Sequence, residues 1–564
     1  MRLYRYYLKD YKFHLIFGPL FKLVEVVFEL IVPLVMRDLI NNGILLKDVN
    51  YVIKRGLLLF LFAIIGLSST IICQYLASSC CQKVATKMRY DGIRKITSLS
   101  KKELDDFSSS QLLTRMTSDI YQVQTSIALF IRLAVRAPFL VIGSIIMTYI
   151  LNPYMAIIFV VSACLLAFII YLVMKISIPK SKAILENMEE LSSKTMENLQ
   201  GVRLVRSFNQ EQKEQAKFKK ILDNNLSLNL KLGKISSLLN PLSYVITSTS
   251  IVLILYFGGY FVSQNALKSG DVYALTYYMT QIFLAIVVLA NLVLIFNKSL
   301  ASEKRLLQLF DKKSSLQYGD INDHESDELI KFSDVSFAYN QNDTLKKISF
   351  TIKKGEQIGI IGSTASGKST LIYLMMRLYD PQEGVIYFKG RNIKDYTKKS
   401  LIDAFSLVFQ NQKLETGTIY SNLTLSKKYS EEEIKLALDV ACCDFVKCLD
   451  DEVLRDGKNF SGGQKKRLNL ACGLLKKSEV LILDDAFSAL DYKTDLEVRK
   501  KIKENYQKTI IYITERVSSI KDCDRIIVLD NGRIDGFDTH ENLLQYSKVY
   551  QELALSQSRE GLND

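Results

Sequence analysis

The sequence predicts a polytopic α-helical membrane domain of six transmembrane helices, fused to an α/β domain built around a P-loop. Three observations carry that prediction. Charge-free apolar runs at 56–82, 137–174, 235–267 and 272–297 crowd the first half of the chain, and nothing comparable follows Lys298. In the second half, a short apolar strand runs directly into a glycine-rich loop of the phosphate-binding type. At 564 residues the chain also exceeds what one compact core holds. The predicted organisation is a membrane domain over 1–305 with long helical arms, a linker over 306–328, and a nucleotide-binding domain over 329–564.

Composition narrows the classes. Hydrophobic residues make up 48% and charged residues 23%, yet Lys and Arg exceed Asp and Glu by 73 to 59, a formal charge of +14. A mean hydropathy of +0.11 is high for so basic a chain. Seven prolines exclude a collagen-like or disordered polypeptide. Nine cysteines is an odd number, and none falls in a loop expected outside the membrane, which argues against a secreted disulfide framework. The positive charge concentrates on the expected cytoplasmic loops and around the phosphate loop, so nucleic acid is not an expected partner.

Each span follows from length. A bilayer core takes about 20 apolar residues per helix. Three of the runs hold one span each, while 137–174 is too long for one and carries the turn signal Asn152-Pro153 near its middle, so it reads as two helices joined by a hairpin. A further span over 13–36 is apolar but contains Lys22, Glu25 and Glu29, bringing the expected total to six. These three charges share one helical face. That face either lines a transport pathway or closes on itself as an internal Lys–Glu pair. The first apolar run is too long for a signal peptide and lacks a small-residue cleavage site, so it is expected to remain as a membrane helix.

Orientation follows from Lys and Arg. Arg2, Arg5, Lys9 and Lys12 precede the first span, and the 178–235 loop holds eleven more, against none at Asn152-Pro153 and only Lys268 in 263–271. The positive-inside rule places the N-terminus and the long loops in the cytoplasm. Arg37, Lys47, Lys54 and Arg55 are discordant, diluted by Asp38 and Asp48. The loops between spans two and three and between four and five are too long to be structureless, and 178–235 has helical periodicity. Both read as amphipathic arms that turn near Phe107-Ser108-Ser109-Ser110 and near Asn209-Gln210.

The phosphate loop is specific. Gln357-Ile358-Gly359-Ile360-Ile361 leads into Gly362-Ser363-Thr364-Ala365-Ser366-Gly367-Lys368-Ser369-Thr370, which matches G-x-x-x-x-G-K-[ST] and opens the helical run LIYLMMRLY. Its glycines let successive N–H groups wrap phosphate oxygens, Lys368 offers a charge to the β- and γ-phosphates, and the Ser369 hydroxyl suits Mg²⁺. A second strand, Val480-Leu481-Ile482-Leu483, ends in Asp484-Asp485, where a carboxylate either holds Mg²⁺ through water or merely caps the next turn. Between them, Phe460-Ser461-Gly462-Gly463-Gln464 opens another helix with an anion-receptive N-terminus. One chain cannot bring this segment to its own P-loop's γ-phosphate, so a second nucleotide domain facing this one is expected.

On these residues the chain resembles a half-transporter of the ATP-binding-cassette exporter superfamily, over nearly its whole length. The resemblance implies ATP and Mg²⁺ as cofactors, an exporter-type membrane domain, a hydrophobic or amphipathic substrate, and a bilayer. It implies that Tyr339 stacks on adenine, that Gln410 contacts Mg²⁺ beside Ser369 and Asp484, and that Ser461–Gln464 is the signature motif with Phe460 in place of the usual Leu. Ser488-Ala489-Leu490-Asp491 matches the loop bridging two nucleotide domains, and Phe107–Asp119 and 201–209 resemble intracellular coupling regions. Two positions depart from the family pattern: Asp485 stands where the general base is normally Glu, and Glu515 where a switch histidine normally meets the γ-phosphate. Together they imply poor hydrolysis at the chain's own site, as in one half of a heterodimeric exporter of a bacterial cell membrane, whose signature motif serves the homologous partner's site. A slow homodimer, or a nucleotide-binding regulatory subunit that transports nothing, is the alternative. The absence of a peptidase segment before the first span disfavours a leader-cleaving peptide exporter.

Overall fold

A computed structural model describes residues 2–339, 342–410 and 412–560. It divides into two compact units, Met1–Thr97 with Ser108–Lys312, and Ser98–Phe107 with Lys313–Asp564.

The first unit is helical. Its long helices are α1 (Lys12–Asp38), α2 (Val49–Ser98), α3 (Ser109–Leu151), α4 (Pro153–Gln200), α5 (Glu211–Ser263) and α6 (Ser269–Phe310). Five of them, α2 to α6, are long and apolar enough to cross a membrane. The helix α1 is long enough, but Lys22, Glu25 and Glu29 sit in its middle. The expected hairpin falls where it was read. Only Asn152 separates α3 from α4, its Oδ1 accepting from the N–H groups of Tyr154 (2.9 Å) and Met155 (3.2 Å), with Pro153 pre-set for a first helical turn.

The long loops are helices, as their periodicity demanded. The polar half of α2 buries Cys73, Ala77, Cys80, Val84 and Met88 at spacings of three and four. The second arm ends in Val202–Ser207 and turns through Phe208–Gln210, with Asn209 at φ 50°. Of the stretch Phe107–Asp119, Phe107 belongs to the second unit, while Ser108 caps α3 together with Gln111 and the residues after it open that helix in the first unit. The segment that packs into the second unit is Ser98–Phe107, with the short helix Lys101–Asp105.

The charged face of α1 is fully paired. Lys22 Nζ meets Glu25 Oε2 at 2.5 Å, Thr70 Oγ1 donates to the same oxygen at 2.5 Å, and Arg136 of α3 donates to Glu29 at 2.9 Å. Beneath it, Val26 and Leu30 pack with Leu140, Phe159, Tyr278 and Ile282.

The second unit holds two sheets. One is antiparallel, in the order β2-β1-β4-β5, from β1 (Glu328–Tyr339), β2 (Asn342–Lys353), β4 (Glu383–Phe388) and β5 (Arg391–Asn392). The other runs β10-β9-β3-β8-β7-β6, from β3 (Gln357–Gly362), β6 (Phe405–Val408), β7 (Val480–Asp484), β8 (Thr509–Ile513), β9 (Arg525–Asp530) and β10 (Arg533–Asp538). Its four pairings from β9 to β6 are parallel, and only β10 runs antiparallel at the edge. Ile358, Ile360, Val480, Ile482, Ile511 and Ile513 are buried on one face and Ile361, Leu481, Leu483, Ile510 and Tyr512 on the other, which explains why these strands read as unbroken apolar runs.

Candidate nucleotide site

The central parallel strands deliver the site. The strand β3 ends at Gly362, and α7 (Lys368–Met375) starts after a loop in which Ala365 (φ 66°) and Gly367 (φ 104°) take left-handed backbone. At Gly367 that conformation, and the closeness of Leu345 to any added Cβ, exclude larger residues. The neighbouring strands β7 and β8 end at the same edge, so Asp484, Asp485 and Glu515 arrive beside the loop. Together they line a cavity of about 680 Å³ with Thr364–Thr370 and Gln410.

Within it, Lys368 Nζ donates to the carbonyls of Gly362 (2.8 Å) and Ser363 (2.9 Å) and meets Glu515 Oε1 at 3.3 Å. Thr364 Oγ1 donates to the same Glu515 oxygen at 3.4 Å. Gln410 Nε2 donates to Asp485 Oδ2 at 3.1 Å. Asp485 adopts φ 49°, and its backbone is tied by its own N–H to Ile513 O (2.9 Å) and by its carbonyl accepting from Lys466 Nζ (2.9 Å). Burial, and then the Asp485 charge, push the Asp484 carboxyl up to about 6, against the pull of Lys368 and Lys466.

The residues fit ATP with Mg²⁺. The buried Ser366 hydroxyl has no hydrogen-bond partner among the described residues and lies in the phosphate loop. Ser369, Gln410 and Asp484, which all line the cavity, offer hard oxygen ligands. Among the described residues no cluster of three or more His, Cys, Asp or Glu forms a metal cage.

Other expected site residues lie apart from the cavity. Tyr339, at the end of β1, accepts at 3.5 Å from the Thr370 hydroxyl and packs edge-on against Phe337 and Tyr379. Ser461 caps α8 (Gly462–Leu475), accepting from Gln464 N–H at 3.3 Å while Gln464 Oε1 accepts from Ser461 N–H at 2.8 Å. Gly462 faces open space and Gly463 approaches the Ala489 carbonyl. Asp491 caps α9 (Tyr492–Asn505); its bonds from the Thr494 N–H and hydroxyl hold its carboxyl below the usual range. Neither the Ser461–Gln464 motif nor Asp491 lines this cavity.

Sequence reasoning missed Lys466. Its ammonium spans the Asp485 carbonyl and the Ser488 hydroxyl, joining the signature helix to the loop that follows β7. Nothing in the run Lys465-Lys466-Arg467 singles it out. It also missed Asp105, which accepts from the Tyr379 hydroxyl, and Glu103, which accepts from Ser315 N–H at 3.2 Å.

A P-loop at the edge of a parallel sheet, joined in one polypeptide to helices of membrane-spanning length, defines an ATP-driven membrane transporter. Comparison with known proteins agrees. Residues 15–287 match the ABC transporter transmembrane region, and residues 345–488 match the ABC transporter ATP-binding family. The chain is 29% identical over 565 residues to the uncharacterized ABC transporter ATP-binding protein YfiB of Bacillus subtilis, covering 98% of both. It is 28% identical to the ATP-dependent lipid A-core flippase of Mannheimia succiniciproducens, covering 92% of this chain and 90% of that one. Its fold matches a bacterial Atm1-family ABC exporter with ATP bound, at a TM-score of 0.80 and 21% identity over 98% of each. The chain is an ABC transporter with its transmembrane and ATP-binding regions fused: a multi-pass membrane protein and a P-loop ATPase coupled to transport. ABC exporters act as dimers in a membrane.

Proposed function

We propose that this chain is the weakly hydrolysing half of a heterodimeric exporter. The observation that carries the reading is Glu515, whose carboxylate pairs with the phosphate-loop lysine at 3.3 Å where the family pattern has a histidine. A carboxylate there repels a terminal phosphate instead of donating to it. Asp485 adds a second handicap. Its side chain is one methylene shorter than Glu, and an error of about 1 Å in placing a reacting group costs about a hundredfold in rate.

In this reading Tyr339 stacks on adenine, residues 362–370 wrap the phosphates, and Ser369, Gln410 and Asp484 hold Mg²⁺. When bound, Mg²⁺ neutralises charge between the β- and γ-phosphates. Ser461–Gln464, pre-capped and with Ser461 and Gly462 exposed, is lent to the partner's ATP, and Asp491 fixes the loop between the two domains. The membrane topology is six spans, with α1 as the first and its charges neutralised internally. The N-terminus and the nucleotide domain are cytoplasmic in a bacterial cell membrane.

The substrate class is an apolar or amphipathic molecule, lipid-like in chemistry. A cavity of about 780 Å³ between α3, α4 and α6 is lined by Val141, Ile142, Cys164, Met174 and Leu289, with Lys175 as its one charged residue. The flippase likeness of the Mannheimia relative points the same way.

The test is ATPase activity of the purified chain alone and with its partner. The chain alone is expected to turn over negligibly. In the pair, Ser461→Ala abolishes most hydrolysis while Asp485→Ala removes little. Equal losses would refute the division of labour.

A further inference from the structure

The loop bearing Glu515 is held from two sides. Its start is tied to the central sheet, with Thr514 N–H donating to Ile360 O at 3.2 Å and Arg516 N–H donating to Thr514 Oγ1 at 3.1 Å. Its far side is gripped by the last described helix of the chain, α10 (Lys548–Glu560). There the Gln557 carboxamide bonds the loop's backbone with both its donor and its acceptor. Its Nε2 donates to the Glu515 carbonyl at 2.6 Å, and its Oε1 accepts from Val517 N–H at 2.8 Å. The two contacts straddle Arg516 and fix the direction in which Glu515 leaves the backbone. The carboxylate that results sits on Lys368 and Thr364, the lysine side chain only 13% exposed and the carboxylate 62%.

We propose that Gln557 is a positioning residue that holds Glu515 against the phosphate loop as a built-in anion, so that α10 lowers the site's preference for nucleoside triphosphate over diphosphate. The inference rests on the reading of residues 362–370 as the ATP site. Its physics is competition for one cation. Lys368 serves the β- and γ-phosphates, and Glu515 already occupies it. The diphosphate leaves more of that pair intact and brings less negative charge near the carboxylate. The triphosphate must displace or face it. Gln557 touches no phosphate group; it acts only by denying the loop the freedom to swing Glu515 aside.

The experiment measures ATP and ADP affinities of the full-length chain, purified in detergent with Mg²⁺, for wild type, Glu515→Gln, Gln557→Met and the double variant. Methionine keeps the length of glutamine and removes both bonds. Glu515→Gln is expected to raise the ratio of ATP to ADP affinity about fivefold, the size of a partly exposed charge pair. Gln557→Met is expected to raise the same ratio about twofold, and to add nothing in the Glu515→Gln background, as groups acting through one another should. An equal shift in both affinities, or an effect of Gln557→Met that survives in the double variant, would overturn the positioning role. A ratio unmoved by Glu515→Gln would instead overturn the phosphate-facing reading of that residue, and this proposal with it. Thermal melting of each variant separates these outcomes from unfolding, which lowers both affinities together.

Discussion

At the residue scale the proposed weak hydrolysis rests on two side chains, Asp485 just after β7 and Glu515 just after β8. Asp485 is held at φ 49° by bonds to Ile513 and Lys466, so its backbone cannot slide forward to make up for the missing methylene. Glu515 spends its charge on Lys368. The two proposed handicaps are separable. Asp485→Glu alone restores reach but leaves the repulsive carboxylate, and Glu515→His alone frees Lys368 without supplying a better base. The double change is expected to raise this site's turnover about a hundredfold, each single change much less. The measurement is single-turnover hydrolysis in a pair whose other P-loop lysine has been removed. No gain would locate the defect in the partner's signature motif. That the P-loop and Asp484-Asp485 belong to one site was legible from motif spacing, and the family resemblance added Glu515; all of them line the same cavity. Lys466 and Gln557 were not legible, because each matters only through a backbone carbonyl or N–H that folding brings to it.

At the element scale, strands and long helices declared themselves by periodicity, whereas short connecting pieces did not. The helix Lys101–Asp105 has five residues and the sequence KKELD, which reads as a solvated turn. Its place in the second unit rests on contacts with residues distant in sequence. Tyr379 donates to Asp105, Lys101 lies 5.2 Å from the Tyr373 ring, and buried Glu103 accepts from the Ser100 hydroxyl and from Ser315 N–H. Tyr379 is 5% exposed, so its hydroxyl needs this partner. Asp105 and burial together keep that phenol protonated well above its usual range. Tyr379→Phe removes the bond while keeping the ring. It is expected to cost about 1 kcal/mol of local stability, seen as amide exchange in 98–107 accelerated about fivefold with ATP affinity unchanged. Unchanged exchange would mean that ring packing and the Glu103 contacts alone hold the segment.

At the scale of the whole molecule, two units were visible in the distribution of charge before any residue was interpreted: apolar runs up to Lys298, mixed sequence after it. What composition concealed is how the membrane unit tolerates charge. The sequence offered Lys22 and Glu25 as a local pair, three residues apart and visible from spacing. It left Glu29 without a partner, since Arg136 lies 107 residues away. In the structure Glu29 and Arg136 close the network between α1 and α3, beside a cavity of about 110 Å³ that Gln281 of α6 also lines. A charged pair among apolar helices is costly to split and cheap to replace as a unit. Arg136→Met leaves Glu29, 19% exposed, without this partner and is expected to destabilise the unit by about 2 kcal/mol. The Arg136→Met, Glu29→Gln double variant, which removes both charges, is expected to recover most of that loss. Melting temperature in detergent reads the comparison, the single variant falling by about 4 °C or more and the double returning toward wild type. Transport measured on the double variant then separates the two readings of the charged face. Wild-type export with the charges gone assigns the face to helix packing; lost export with restored stability assigns it to the substrate's path.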